Sequence, residues 1–210
     1  MDMREKLLHA AARVFARTGF RGATTRLIAQ EAGVNEITLF RHFGSKEALI
    51  QAALAHIGLG VGLVKLPDNP TNPGRELNEW ATAKFTHFYE QRSLVRRVLG
   101  EVDERPDILA LINEKPDGSA CELREYLEPL QKRGLIDAKG DLETASCMLI
   151  GAIFTEAITR DILPDMYKQS ADETIGRYVH LFLRSLGLRS RPAQRPKVKR
   201  ANRVRSRARS

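Results

Sequence analysis

Apolar residues recur every three or four positions along most of this chain, which is the spacing of one face of an α-helix. No stretch shows the two-residue alternation of a convincing strand, so the pattern predicts an all-α protein. Helices are predicted over residues 4–18, 25–32, 36–42, 46–57, 75–103 with a break near 91–93, a segment after Pro106, 119–133, 142–162 and 172–186.

Residues 24–47 predict two short helices that are joined by a tight turn. Thr25 and Asn35 are the candidate N-caps, and Gly33 lies where the first helix must stop and the chain must reverse. Leu39 and Phe43 are expected to point inward. A helix, a glycine turn and a second helix with a polar outer face form the geometry that fits the major groove of DNA. The outer face is predicted to carry Glu36, Thr38, Phe40, Arg41 and His42.

The residues of this segment resemble one family in many spaced positions. The resemblance is to the DNA-binding domain of TetR/AcrR-type transcriptional regulators, and it covers residues 4–57. It is carried by Ala11, Phe15, Gly19-Phe20, Thr24-Thr25, Ile28-Ala29, Ala32-Gly33-Val34, Thr38-Leu39-Phe40, His42-Phe43 and Ser45-Lys46-Glu47.

The resemblance implies which side chains contact DNA. Thr38 and Arg41 are expected to reach base edges, since arginine pairs with guanine and the threonine methyl can touch thymine. Phe40 departs from the family's usual tyrosine and lacks the hydroxyl for a phosphate contact. Glu36 must avoid phosphates or accept from a cytosine amino group. The full predicted DNA-binding set is Thr25, Arg26, Asn35, Glu36, Thr38, Phe40, Arg41, His42 and Lys46.

Composition and charge divide the chain into four parts. Residues 1–57 form the predicted helix-turn-helix head, 58–73 a connector rich in glycine and proline, and 74–188 a helical body. Residues 189–210 carry ten basic residues and no acidic one, which predicts a disordered basic tail. The net charge of +8 comes from the head and the tail, because the body is acidic.

The body is expected to bind a small molecule and to dimerise, as the resemblance implies. Its last two long helices would form a four-helix bundle with those of a second copy, through Met148, Ala152, Ile175, Val179 and Phe182. Aromatic residues at helical spacing line either a ligand pocket or a plain core, and the pattern leaves both open. These residues are Trp80, Phe85, Phe88, Tyr89, Tyr126 and Phe154.

The sequence argues against several other classes of protein. Cys121 and Cys147 have no metal or redox spacing, and the five histidines are scattered, so no metal or other cofactor is expected. No grouping of catalytic residues stands out, which argues against an enzyme. The N-terminus does not resemble a signal peptide and no apolar run approaches a membrane span, so we expect a cytoplasmic protein without membrane contact.

We therefore expect a homodimeric transcriptional regulator that binds double-stranded operator DNA. It would act as a repressor that a small, largely apolar effector releases from the operator. The alternative is a ligand-independent architectural DNA-binding protein, in which the basic tail dominates nucleic-acid affinity and sequence discrimination is weak.

Overall fold

The computed structural model describes residues 1–57, 64–106, 118–137 and 139–188. Every regular element in these ranges is helical, which confirms the all-α prediction. The predicted basic tail, the predicted helical segment after Pro106 and residues 58–63 of the connector lie outside them. The helices are α1 (Met3–Gly22), α2 (Thr25–Ala32), α3 (Glu36–Phe43), α4 (Lys46–Ile57), α5 (Pro73–Glu90), α6 (Arg92–Glu101), α7 (Gly118–Lys132), α8 (Leu142–Thr159) and α9 (Ala171–Ser185), with a short 3-10 helix at Pro164–Met166 between the last two.

The head is built around α1, which packs against α2 and α4. Leu8 and Phe15 of α1, Ile28 of α2, Leu39 of α3 and Leu49 of α4 are fully buried in one cluster. These residues follow the 3.6-residue spacing of a helical face, so the hydrophobic pattern alone predicted that they would form this core.

The predicted caps and turn of the head are present, with one correction. Thr24, not Thr25, is the N-cap of α2, because its hydroxyl accepts the Leu27 amide at 3.2 Å. Gly33 adopts φ 69°, a left-handed conformation that suits glycine at a helix end. The side chain of Asn35 caps α3 by accepting the Ile37 amide at 3.0 Å.

Gly19 interrupts α1 close to where the sequence predicted its end. Its φ of 70° and ψ of −178° lie in a region that is open essentially only to glycine. A Cβ atom at this position would lie 2.1 Å from Oε1 of Glu101 in α6. The Glu101 carboxylate occupies this space and accepts the Phe20 amide, at 3.2 and 3.1 Å from its two oxygens.

The helix α6 therefore bridges the two parts of the chain. Residues 92–101 were predicted to belong to the body, but Leu94 and Val98 lie in the hydrophobic core of the head. At its N-terminal end, Arg92 and Arg96 pair with Asp161, beyond the end of α8 in the body. Hydrogen bonds from Arg96 and then Arg92 lower the pKa of Asp161 to about 2.

The body consists of α5, α7, α8 and α9 around a second core. Three residues predicted at the dimer interface, Ile175, Val179 and Phe182, are 1%, 3% and 7% exposed and belong to this core. The prediction failed because the apolar stripe of α9 faces its own body. Met148 is 70% exposed on α8 and is available for contact with another chain, and Ala152 is half-buried.

Other helix limits in the body differ slightly from those predicted. Ser119 was expected to cap α7, but the helix already begins at Gly118. Pro129 lies inside this helix, and Asp141 caps α8 as predicted, accepting the Thr144 amide at 3.0 Å. By length and composition α8 is apolar enough to cross a membrane, contrary to the expectation above. Its buried side chains pack in the core of the body, and core helices also meet this criterion.

The geometry at Gly19 predicts an unusually costly glycine substitution. Gly19→Ala should lower the free energy of unfolding by about 2–4 kcal/mol, because the backbone is strained and the Glu101 carboxylate is displaced from Phe20. Gly33→Ala is the matched control. It also has positive φ, but nothing lies within 4 Å of its added Cβ, so about 1–2 kcal/mol is expected. Urea denaturation measures both, and equal losses would contradict the proposed role of Glu101.

Candidate nucleic-acid interface

The helix α3 presents one face to solvent and the other to the core of the head. Leu39 is fully buried and Phe43 is half-buried beneath it. Arg41 and His42 are exposed, and Phe40 is 47% exposed. The guanidinium of Arg41 makes no hydrogen bond or ion pair with any residue that the structure describes, so it is available to a ligand outside the chain.

Two hydrogen-bonding side chains hold the first turn of α3 in place. Asn35 caps the helix, as described above, and the hydroxyl of Thr25 donates to the carboxylate of Glu36. This bond ties the start of α2 to the start of α3. It also means that Thr25 and Glu36, both predicted to contact DNA, already bind each other in the free protein.

Lys46, at the start of α4, is engaged within the head. Its ammonium donates to the carbonyl oxygen of Phe20 at 3.0 Å and lies 4.3 Å from the centroid of the Phe20 ring. Arg105 lies over the same ring at 3.9 Å. The DNA contact that the resemblance implies for Lys46 would therefore have to compete with its bonds to Phe20.

The relative position of α1 and α2 is fixed by a charged cluster. The guanidinium groups of Arg13 and Arg17 each lie 2.8 Å from the carboxylate of Glu31. Hydrogen bonds from Arg17 and then Arg13 lower the pKa of Glu31 below its ordinary value. The helix-turn-helix is thus anchored to α1 by both apolar packing and ion pairs.

Comparisons with known proteins agree with this geometry. Residues 7–53 match the family model for bacterial regulatory proteins, tetR family. The HTH-type transcriptional regulator UidR of Escherichia coli K12 is 26% identical over 168 residues, which is 76% of this chain and 81% of UidR. YvkB of Bacillus subtilis strain 168, an uncharacterised HTH-type transcriptional regulator, is 24% identical over 145 residues, covering 69% of this chain and 76% of YvkB. The head is a tetR-family DNA-binding domain.

The similarity of this chain to solved structures extends to the body. A TetR-family regulator from Mesorhizobium loti MAFF303099 superposes with a TM-score of 0.64 at 20% identity, over 87% of this chain and 96% of that one. At this identity the match shows the shared fold. The relatives are transcriptional regulators, as the sequence analysis expected for this chain.

The structure brings the predicted DNA-binding residues of the TetR-family head together at α2, α3 and the start of α4. Arg26 is exposed and Thr38 is half-buried. The predicted set does not contain Ile37, which is 68% exposed on the first turn of α3, or Leu27, which is 43% exposed on α2. Helical spacing places Ile37 outside the buried face of α3, and an apolar residue at such a position is the signal that could have identified it.

The residues that join the head to the body are not predictable from local sequence patterns. Glu101 and Phe20 are 81 positions apart, and no local pattern connects them. Arg97 of α6 donates to the Arg17 carbonyl oxygen at 3.3 Å beside them. Only the packing of α6 on α1 shows these contacts.

The contacts of Lys46 predict a stability effect that is separate from any DNA contact. Lys46→Met should lower the free energy of unfolding by about 1 kcal/mol, because it removes a charged hydrogen bond and a cation–π contact at Phe20. The salt dependence of DNA binding should change no more than in Lys65→Met, which removes an exposed charge in the connector. A salt slope that falls by about 1 with unchanged stability would show that Lys46 leaves Phe20 for a phosphate.

Proposed function

We propose that this TetR-family regulator is a homodimeric repressor that a small molecule in the body releases from its operator. The proposal is supported by the exposed face of α3. Its polar side chains project from an eight-residue helix that is capped at both ends. A capped helix whose arginine has no partner in the described part of the chain can enter the major groove without reorganisation.

The exposed side chains of α3 suggest specific base contacts. Arg41 would donate to the acceptor edge of a guanine, and Thr38 would contact a base edge one turn earlier. Ile37 and Phe40 are apolar and exposed, so they suit the methyl groups of thymine. His42, Arg26 and the capped end at Asn35 would lie against the phosphate backbone.

The dimer would form through the outer faces of α8 and α9. With Ile175, Val179 and Phe182 buried in the body itself, the exposed apolar residues on these helices are Met148 and Leu181, at 70% and 60%. Gly151 and Thr155 are exposed on α8 as well, and small residues allow two helices to approach closely. Two heads are needed because a single recognition helix gives too little interface for specific binding.

Release would depend on how the body holds the head. The helix α6 makes contacts that extend from Asp161 in the body to Phe20 in the head, so a shift of α6 would move α1 through the Glu101 carboxylate. Phe20 also accepts from Lys46 of α4, which lies beside α3. An effector acts through this chain of contacts only if it binds the released arrangement more tightly.

The proposal predicts that Arg41 determines sequence preference. Arg41→Ala should weaken binding to operator DNA by about 10–100-fold and relax the base preference at one position. Arg21→Ala is the matched control, since it removes the same charge from the far end of α1, where the side chain is 93% exposed. Fluorescence anisotropy with operator and scrambled DNA measures both. Equal loss on the two DNAs would show that Arg41 contacts phosphate only.

The proposed dimer makes a second prediction. The double variant Met148→Asp and Leu181→Asp should raise the dimer dissociation constant at least about 100-fold, because it buries unpaired charges at the interface. Leu99→Asp is the control, since this leucine is 48% exposed on α6, a helix outside the proposed interface. Sedimentation velocity gives the oligomeric state. A dimer that survives the double substitution would place the interface elsewhere.

A further inference from the structure

The core of the body contains polar atoms that its own side chains do not satisfy. In the described residues, Nε1 of Trp80, Oγ of Ser146 and Oε2 of Glu156 are buried without a hydrogen-bond partner. Glu156 is held through its other oxygen by Arg160. The indole N–H of Trp80 and the hydroxyl of Ser146 have no such compensation, and buried polar groups in native proteins nearly always have a partner.

The two unsatisfied groups lie at about the same level of the body. Helices α5 and α8 run in the same direction, since the rings of Phe88 and Phe154 meet at 5.3 Å and Arg92, just after α5, pairs with Asp161, just after α8. Trp80 and Ser146 each lie eight residues before the Phe88–Phe154 contact, or about 12 Å along each helix axis. Both residues are 0% exposed on helices that pack together.

A buried cation lies one helical turn from the indole. Lys84 is 3% exposed, and its ammonium lies 5.4 Å from the centroid of the Trp80 ring. It also pairs with the carboxylate of Glu122 on α7 at 3.2 Å. Burying an ammonium is costly, so a lysine at this position is unexpected in a core that serves packing alone.

Beyond this polar level the same helices are aromatic. Phe88 and Phe154 meet edge to face, and Phe85 stacks on Tyr89 with their ring centroids 5.7 Å apart. Tyr89 and Phe154 are only half-buried, so this end of the α5–α8 contact is nearer to solvent. The contact between α5 and α8 therefore contains an apolar stretch, with hydrogen-bond donors and a cation at one end of it.

We propose that the effector of this regulator is an amphipathic carboxylate, whose head group binds Trp80 Nε1 and Ser146 Oγ beside Lys84. A carboxylate has two acceptor oxygens, which is what an indole N–H and a hydroxyl require. The apolar part would lie along Phe88 and Phe154. The inference rests on the proposed release by a small molecule and specifies the chemistry of that molecule.

The test compares three ligands of equal chain length: octanoate, 1-octanol and octylamine, which is protonated at neutral pH. Trp80 is the one tryptophan of the chain, so its fluorescence reports binding directly at the proposed site. Titrations of the full-length protein below the micellar range should show octanoate binding at least tenfold more tightly than octylammonium, and more tightly than octanol. Equal affinities, or preference for octylammonium, would overturn the proposal.

Substitutions separate the head-group contacts from general apolar binding. Lys84→Met should reduce octanoate affinity to that of octanol and leave octanol binding nearly unchanged. Lys132→Met is the matched control, because this lysine is 78% exposed on α7, and it should preserve the preference. Ser146→Ala should weaken both ligands. Thermal melting verifies folding, and the comparison of three ligands on the unsubstituted protein does not depend on any variant.

Operator binding measured in parallel distinguishes this inference from the proposed function. Octanoate that binds at Trp80 without releasing DNA would support the site and contradict the release mechanism. Release by a different molecule, with no preference for the carboxylate, would support the release mechanism and overturn the head-group chemistry. If none of the three ligands changes the Trp80 signal, water satisfies the two groups and the inference is overturned.

Discussion

The hydrogen bond between the Phe20 amide and the Glu101 carboxylate joins the two halves of this protein. It can form because Gly19 interrupts α1 with a positive-φ backbone conformation and has no Cβ atom that would clash with the Glu101 carboxylate. On one side Glu101 belongs to α6, which is anchored to the body through Asp161. On the other side Phe20 accepts from Lys46, which starts α4 beside the recognition helix. These contacts form a continuous series from the body to the start of α4, and the proposed release would act through them.

The head was largely predictable from the sequence because its determinants are local. Helical spacing gave its core, Gly33 gave the turn and Asn35 gave the cap of α3, each within a few residues. Thr24 and Thr25 could not be ranked as N-cap, since both carry a hydroxyl and the choice depends on the bond from Thr25 to Glu36.

The body was less predictable because its determinants are long-range. An apolar stripe indicates that a face is buried and does not indicate what covers it, so Ile175 and its neighbours were assigned to a partner chain instead of their own core. The same ambiguity affected the aromatic residues: Trp80, Phe88 and Tyr126 are in the core, and the indole N–H of Trp80, which has no hydrogen-bond partner among the described residues, is what suggests a further role. The hydroxyl of Tyr126 donates to Glu76 at 2.6 Å. Burial and then this bond raise the pKa of Tyr126.

The distribution of positive charge between the tail and the head bears directly on how specifically the protein can bind DNA. Ten basic residues in 189–210 would attract any DNA, whereas the head carries few uncommitted cations because Arg13, Arg17 and Lys46 are engaged within it. Electrostatic attraction alone would give affinity that falls steeply with salt and little discrimination. The exposed residues of α3 are what would turn that attraction into recognition of an operator.

The most direct measurement is fluorescence anisotropy of the full-length protein on DNA from upstream of its own gene and on scrambled DNA, across a salt series. A sequence-reading dimer predicts a specific-to-nonspecific affinity ratio of about 1,000 or more at physiological salt. Selection of binding sites from random DNA covers the case of an operator elsewhere in the genome. A ratio near one in both experiments, with a steep salt slope, would contradict a sequence-reading regulator and favour an architectural protein dominated by its basic tail.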